Sequence, residues 1–264
     1  MRLAVCAEMV FTGLPFVERV RRIHDAGFDV ELWDSRSKDI AALKASGATF
    51  SSMTGYTSGS LVDADTADDV VRTAETLIPT ALELGVSRMV VHPAELIDGR
   101  AARPAYRPEG RMWITGARTL ERLGALGEKH GVTFCLENLN TVLDHPGIPL
   151  ARAKDTLALV EAANHPNVKL MLDLYHAQLG EGNLIELIRR ALPYIGEVQV
   201  ADVPGRCEPG TGEINYPAVA RALVAAGYDG TVGMEAFASG DDADALEAFR
   251  GAFTLLPTAR YLGR

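Results

Sequence analysis

Eight short apolar runs, separated by stretches of helical periodicity, recur along the chain and constrain its fold more than any other feature. Their length and β-branched content are typical of buried strands, and they span Leu3 to Ala7, Val30 to Trp33, Ala48 to Met53, Arg88 to His92, Val132 to Glu137, Val168 to Asp173, Ile195 to Val200 and Thr231 to Glu235. Helices are predicted between them, for example over Phe16 to Ala26, Ala67 to Leu84, Ile114 to His130, Asp155 to Ala163 and Tyr216 to Ala226. The alternation predicts parallel strands joined by helices.

The glycines between these elements and the length of the chain favour a closed barrel. Glycines suited to a left-handed helix cap precede several of the strands, at positions 27, 47, 85, 131 and 227. Eight units in 264 residues average about 33 residues each, which is typical of a (β/α)8 barrel. No Gly-rich dinucleotide or phosphate motif follows a strand. We therefore expect an α/β fold, a single TIM-type barrel domain over residues 1–264.

The amino-acid composition of the chain restricts the kinds of molecule that it can bind. Apolar residues make up 47% of the chain, enough for a large core, and the net charge of −9 disfavours nucleic acid. Three dispersed cysteines indicate neither disulfides nor a thiolate metal site. The N-terminus lacks a signal-peptide pattern, and no apolar run is long enough to span a membrane. We expect a cytoplasmic protein with a small-molecule substrate and with no membrane or nucleic-acid partner. The sequence is compatible with a homo-oligomer.

Polar side chains sit at or near the C-terminal ends of the last four runs, where such barrels place their active sites. They are Glu137, Asp173, Gln199 and Glu235, separated by 36, 26 and 36 residues, about one strand-helix unit each time. Three carboxylates and one amide oxygen suit a hard or borderline divalent cation. The pattern predicts a metal site for Mg²⁺ or Mn²⁺, with Co²⁺ or Zn²⁺ as alternatives.

Longer motifs carry a resemblance that covers nearly the whole chain. LENLN at 136–140, MLDLYHAQ at 171–178, VQVADVPGRCEPGTGEINY at 198–216 and GYDGTVGMEA at 227–236 resemble the hydroxypyruvate isomerase family of xylose-isomerase-like TIM barrels. The 198–216 stretch is the most specific of them. The resemblance implies that the four strand-end residues hold the metal and that Glu137 and Glu235 also form the catalytic acid/base pair. It implies isomerisation of hydroxypyruvate to tartronate semialdehyde, or of a 2-oxo-tetronate, through an enediolate.

Two positions depart from the related ketose epimerases. Gln199 stands where those enzymes have His, and Leu143 stands where they have a second Glu for the far end of a long sugar. Both departures favour a short substrate. A sugar or cyclitol epimerase, isomerase or dehydratase on the same metal centre remains the alternative, while DNA repair at abasic sites fits an acidic chain poorly.

Two further residues are candidates for substrate binding. His176 follows Asp173 by three residues and could contact a substrate oxygen, with a backbone-bonded loop histidine as the plain alternative. Arg206 lies just past the seventh strand, where a guanidinium could bind a substrate carboxylate with two hydrogen bonds, or instead form a surface ion pair.

The remaining candidates are weaker. Glu208 and Glu213 could orient Arg206 or form a subunit contact, and His92 is favoured as a packed histidine near the site. Glu8 and Glu31 could support the site or belong to lower barrel layers. The loops Pro93 to Met112 and Asn138 to Ala153 are long enough for lids, the stretch 104–113 in particular. Aromatic residues that could wall the pocket are Phe11, Trp33, Tyr56, Trp113 and Phe237.

Overall fold

Eight parallel strands close into a barrel in the computed structural model, which describes residues 1–103 and 109–254. Each strand pairs with its neighbours in chain order, and the last pairs with the first. The barrel strands are β1 (Arg2–Cys6), β2 (Asp29–Leu32), β3 (Phe50–Thr54), β4 (Arg88–Val91), β7 (Thr133–Glu137), β8 (Val168–Asp173), β9 (Ile195–Val200) and β10 (Thr231–Met234). A short antiparallel hairpin, β5 (Leu96–Ile97) and β6 (Arg100–Ala101), follows β4. The predicted single barrel fold is confirmed.

Helices surround the barrel and bury their apolar faces against the strands. They are α1 (Phe16–Asp25), α2 (Ile40–Ala45), α3 (Ala67–Leu84), α4 (Glu109–His130), α5 (Ala153–Ala163), α6 (Leu174–Gly180), α7 (Leu184–Ala191), α8 (Tyr216–Ala226) and α9 (Asp242–Phe253). Local signals explain their ends: Asp241 caps α9 by accepting from the amides of Ala243 and Asp244, and Gly85 ends α3 at φ 72°. Within the described residues, no helix is both long and apolar enough to cross a membrane.

The predicted strands match the structure to within two residues at each end, whereas the helices were predicted incompletely. Helix α4 begins five residues earlier than expected, at Glu109. Helix α2 precedes Gly47, one of the predicted helix-capping glycines, whereas α6, α7, α9 and the hairpin inside the loop predicted from Pro93 to Met112 had not been assigned. Of the stretch 104–113 that we expected to act as a lid, residues 104–108 lie outside the described residues.

The barrel interior contains charged residues below the strand ends. Arg88 donates through Nε to Glu197 Oε2 at 2.5 Å and through Nη2 to Thr231 Oγ1 at 2.9 Å. Glu197 is fully buried, and Ser52 lies 3.5 Å from its second carboxylate oxygen. A buried ion pair of this kind is tolerable because both charged groups are compensated and hydrogen-bonded. The interior below the mouth is therefore a filled, partly ionic core rather than a channel.

Candidate active site

A cavity of about 700 Å³ opens at the C-terminal ends of the barrel strands. Three of the predicted metal ligands, Glu137, Gln199 and Glu235, line it, together with the predicted substrate residue Arg206. Oxygen atoms of Glu137, Asp173 and Glu235 and a ring nitrogen of His176 lie within 4.8 Å of one another. All four side chains are buried. The structure thus brings these four predicted residues to one place, although they come from three different βα units.

Glu137 is the last residue of β7, and it is contacted by a histidine that directly follows the neighbouring strand, β4. His92 Nε2 lies 3.1 Å from Glu137 Oε2, and His92 Nδ1 lies 3.0 Å from the hydroxyl of Tyr56. Tyr56 in turn donates to the carbonyl of Ala94 at 3.1 Å. His92 therefore contacts a predicted catalytic residue directly, as expected of a histidine that supports the site.

Asp173 ends β8 and begins α6, so one side chain serves both the fold and the site. Its Oδ1 accepts from the amide of His176 at 2.8 Å, which caps α6. Asn138, immediately after β7, exchanges two hydrogen bonds with the Asp173 backbone, at 2.8 and 3.0 Å. These bonds join the ends of β7 and β8. The second oxygen, Oδ2, is left to face the cluster, 3.8 Å from His176 Nε2.

His176 is buried in the first turn of α6, and its hydrogen-bond partner determines which nitrogen carries the proton. Asn140 donates through Nδ2 to His176 Nδ1 at 2.7 Å. The orientation of the Asn140 amide is set by its Oδ1, which accepts from the amides of Leu143 and Asp144. In the neutral ring Nδ1 is therefore the acceptor and Nε2 carries the hydrogen.

The Nε2 of His176, which carries the hydrogen in the neutral ring, has no hydrogen-bond partner in the part of the chain that the structure describes. It lies 3.8 Å from an oxygen of Glu137 and 3.8 Å from an oxygen of Asp173. Burial lowers the pKa of His176 well below its usual value, which favours the neutral ring. With its hydrogen on Nε2 the neutral ring is a donor to an oxygen, although His176 also belongs to the group of four residues that could hold a metal ion. The substrate contact stays a prediction.

Gln199 lies in β9 with Asp173 beside it on β8 and Gly233 beside it on β10. Its side chain is buried, lines the cavity, and has an Oε1 without a hydrogen-bond partner among residues 1–103 and 109–254. A buried amide oxygen without a partner is costly unless something else in the functional molecule satisfies it. Its place beside three carboxylates makes a bound cation the natural partner.

Glu235 follows β10 directly and is held by two donors. Trp33, the first residue after β2, donates through its indole Nε1 to Glu235 Oε1 at 2.7 Å. Arg206 donates through Nη2 to Glu235 Oε2 at 2.6 Å. Each carboxylate oxygen has a further lone pair, so both contacts leave Glu235 able to act as a ligand.

Arg206 is positioned by a tightly built loop between β9 and α8. Its backbone adopts φ 53°, a left-handed conformation that is uncommon for a residue with a side chain. The Asp202 carboxylate shapes the loop by accepting from the amides of Val203, Gly210 and Ile214, at 2.9, 2.9 and 3.0 Å. The motif at 198–216 is therefore largely a set of residues that fold this loop.

The Arg206 guanidinium is buried against the aromatic ring of Tyr175, 5.1 Å from the ring centre. Its Nη1 lies 3.5 Å from Asp144 Oδ1, and its Nε is buried without a partner in the described chain. Burial alone would lower the pKa of Arg206, but the surrounding carboxylates, Glu235 foremost, raise it. Arg206 therefore stays charged, and its Nε–H is left without a partner in the described chain.

The carboxylates of the cluster perturb one another. Burial and the charge of Glu235 raise the pKa of Glu137 well above its usual value, against the opposing effect of Arg206. Burial, Glu235 and Glu137 raise the pKa of Asp173 in the same way. Such a concentration of buried acids stays ionised only where a positive charge beyond that of Arg206 compensates it, and otherwise takes up protons.

The residues fit a divalent cation. Glu137, Asp173, Gln199 and Glu235 offer only oxygen atoms, as Mg²⁺ and Mn²⁺ prefer. The unpartnered Gln199 Oε1 and the mutually repelling carboxylates are the features that a cation would satisfy.

The weaker sequence candidates have other partners. Glu208 accepts from the amide and hydroxyl of Ser239, and Glu213 accepts from Gln178, so neither contacts Arg206 in these bonds. Glu8 pairs with Lys38 at 3.2 Å. Of the aromatic candidates, Trp33, Tyr56 and Phe237 line the cavity, while Phe11 and Trp113 are not among its described lining residues.

Several side chains at the site escaped the sequence patterns. Asn138 and Asn140 lie in LENLN, and their polar character directly after a ligand-bearing strand was an available signal. Asp144 accepts from Tyr175 at 2.9 Å and from Asn140 at 2.6 Å. It had no distinguishing pattern, because its partners lie on different segments.

The sequence matches the family described as xylose isomerase-like TIM barrel over residues 5–254. A putative hydroxypyruvate isomerase from Homo sapiens is 40% identical over 158 residues, 59% of this chain and 57% of that protein. The chain thus spans a little over half the length of this relative. A 2-oxo-tetronate isomerase from Pectobacterium atrosepticum is 28% identical over 256 residues, 93% of this chain and 95% of that protein.

Among solved structures, an AP endonuclease of family 2 from Brucella melitensis is similar with a TM-score of 0.84 at 28% identity. The superposition covers 95% of this chain and 98% of that one.

Proposed function

Because this chain belongs to the xylose isomerase-like TIM-barrel family, we propose that it is a divalent-cation-dependent isomerase of a short hydroxy-keto acid. The reaction would convert hydroxypyruvate to tartronate semialdehyde, or interconvert a 2-oxo-tetronate with its isomer. The relatives named for these two activities support the substrate class. The observation that carries the proposal is the buried Arg206, which lies against the carboxylate cluster with a free Nε.

Arg206 would bind the carboxylate of the substrate. A guanidinium forms two parallel hydrogen bonds with a carboxylate, and the Tyr175 ring, 5.1 Å from the guanidinium carbon, adds a cation–π contact that favours its position. Since Arg206 Nη2 also contacts Glu235, the substrate's carboxylate end would lie beside one of the proposed proton-transfer residues. The reacting carbons would then extend toward Glu137 and His176.

Glu137, Asp173, Gln199 and Glu235 would hold the cation. When bound, a divalent cation supplies positive charge that stabilises the negatively charged oxygens of an enediolate. His176 adds a neutral donor, since its Nε2 hydrogen points into the same cluster.

Proton transfer would fall to Glu137 and Glu235, which approach the cluster from β7 and β10. One carboxylate removes a proton from the hydroxyl-bearing carbon of the substrate, which gives the enediolate. The other, in its acid form, delivers a proton to the neighbouring carbon. The hydroxyl proton passes to the oxygen of the former carbonyl, so that the hydroxyl-bearing carbon becomes the new carbonyl. A proton then returns from the first carboxyl to the second, which restores the starting forms of both, and the sum is an isomerisation without net gain or loss of atoms.

A sugar or cyclitol epimerase, isomerase or dehydratase is the second candidate, and the size of the cavity favours it. About 700 Å³ is far more than a three-carbon acid fills. However, Leu143 lines the cavity at the position where the ketose epimerases have a second Glu. The contact that those enzymes make with the far end of a long sugar would therefore be missing. The net charge of −9 also opposes a function on DNA.

The test is an assay of chelated protein reconstituted separately with Mg²⁺, Mn²⁺, Co²⁺ and Zn²⁺. Each form is offered hydroxypyruvate, 2-oxo-tetronates, ketohexoses and an inosose. We expect no turnover without metal and the highest kcat/KM on a hydroxy-keto acid. Full activity of demonstrably metal-free protein would contradict the metal requirement, and turnover of the neutral substrates alone would favour the second candidate.

A further inference from the structure

Trp33 lines the cavity and also makes a hydrogen bond that a residue serving only as cavity lining would not need. Its indole Nε1 donates to Glu235 Oε1 at 2.7 Å, while the residue as a whole is 39% exposed at the mouth of the barrel. Trp33 and Glu235 are the first residues after β2 and β10, the two strands that flank β1. The contact therefore spans the seam where the barrel closes. The Trp33 carbonyl accepts from the amide of Thr54 at 3.1 Å, which anchors the backbone of Trp33 to the end of β3.

Each carboxylate oxygen of Glu235 accepts from one donor. Of these two donors, only Arg206 is also proposed to bind the substrate. Arg206 holds Oε2 through Nη2, and the same guanidinium has a free Nε. A carboxylate that arrives at Nε would share Nη2 with Glu235, because the two nitrogens form one edge of the guanidinium. Substrate binding would thus weaken the hold of Arg206 on Glu235.

We propose that Trp33 is a positioning residue that keeps Glu235 in its proton-transfer orientation while Arg206 binds the substrate. The inference rests on the proposed function. An indole has one N–H donor and no acceptor, and its hydrogen bond to Oε1 is independent of the Nη2 edge. The donor is also neutral, so it orients the carboxylate without adding the charge that a second arginine would bring.

If Trp33 has this role, removing its donor should lower kcat much more than it changes KM. Trp33→Phe keeps an aromatic ring at the mouth and removes only the donor. We expect kcat to fall by about 10- to 100-fold, the scale of one hydrogen bond to a charged group. KM should change less than about threefold, because ground-state binding depends on Arg206. Trp113→Phe is the matched control: Trp113 lies on α4 outside the cavity lining, and kcat should stay within about twofold of the parent.

A second measurement tests the contact itself and needs no activity. The chain has two tryptophans, so protein labelled with ¹⁵N-indole should give two indole cross-peaks, assigned by the loss of one in each Phe variant. In chelated protein, Glu235→Gln should shift the Trp33 peak and leave the Trp113 peak in place, because a neutral amide oxygen is a weaker acceptor.

The two readouts separate the possible failures. An unmoved Trp33 peak in Glu235→Gln would overturn the contact and with it the proposal. An unchanged kcat in Trp33→Phe, or a rise in KM alone, would assign Trp33 to the wall of the cavity and overturn the positioning role. If the parent protein turns over none of the hydroxy-keto acids, the proposed function fails, while the peak shift still decides whether Trp33 holds Glu235.

Discussion

Glu31 on β2 lies directly against the backbone of Gly233 on β10. A Cβ atom at position 233 would lie 2.2 Å from Glu31 Oε1, so this carboxyl fits inside the barrel only because residue 233 has no side chain. Glu31 is buried on the floor of the cavity, and neither of its oxygens has a partner by hydrogen-bond geometry within the described residues. Burial, followed by the charge of Glu197, raises the pKa of Glu31 well above its usual value.

Glu31→Gln should therefore stabilise the protein increasingly as the pH rises. Below the ordinary pKa of a glutamate the carboxyl is protonated in both the folded and the unfolded chain. Above that pKa only the unfolded chain ionises, so the parent loses stability until the pH reaches the raised folded-state pKa. We expect the gain in unfolding free energy of Glu31→Gln to be larger at pH 8 than at pH 5, measured by urea unfolding of chelated protein. Glu75→Gln, at an exposed position, is the control, and an equal gain at both pH values would show that Glu31 ionises in the folded barrel.

Asn140→Asp should reverse the proton position on His176. Aspartate keeps the oxygen that accepts from Leu143 and Asp144, but it replaces the donor to His176 Nδ1 with an acceptor. The hydrogen would move to Nδ1, and the substrate would lose a donor at Nε2. We expect kcat/KM to fall by about 10-fold or more. Imidazole ¹⁵N shifts check the tautomer, and a folded variant with parental kcat/KM would remove His176 Nε2 from substrate binding.

Replacing either proposed proton-transfer residue should affect turnover more than folding. Glu137→Gln and Glu235→Gln should each lower kcat by about 10²-fold or more, the usual loss for a general acid or base. Glu95→Gln is the matched control, because Glu95 lines the same cavity but accepts from the Gly59 amide outside the cluster. Near-parental kcat in both cluster variants would exclude them from proton transfer. Solvent deuterium should appear at the carbon that gains the proton.

Arg206→Lys tests the acid specificity of the site. Lysine keeps the positive charge but lacks the planar pair of donors, so kcat/KM on hydroxypyruvate should fall by about 10- to 150-fold. A neutral ketose of similar length should lose less. Arg36→Lys is the control, since Arg36 also lines the cavity but pairs with Asp34. Equal losses on the acid and the ketose would argue against carboxylate binding by Arg206.

The sequence predicted the strands and the strand-end residues well for a physical reason. Parallel strands of a barrel are buried on both faces, so they appear as apolar runs, and a polar residue at the end of such a run is conspicuous. Glu137, Asp173 and Glu235 met at one place because closure of the barrel brings the strand ends together. This part of the site follows from the order of strands alone.

The parts that escaped prediction depend on contacts between distant segments. Trp33 and Glu235 are 202 residues apart, and periodicity gives no information on whether an indole at one strand end reaches a carboxylate at another. The proton position on His176 depends on Asn140, which lies 36 residues away. Helix α6 has seven residues, too few for a periodic pattern to predict its extent, and its N-cap is Asp173, which is also a predicted metal ligand.

The loop that carries Arg206 also affects how related sequences should be interpreted. Asp202 satisfies three backbone amides, and Gly212 is required because a Cβ there would lie 2.1 Å from the Val203 carbonyl. These residues preserve a shape, whereas residue 206 alone supplies the guanidinium. A homologue could therefore retain the whole recognisable motif, exchange that one arginine, and present the same loop to a substrate without a carboxylate. Annotation transferred on the motif would then name the wrong substrate, and position 206 is the residue to inspect first.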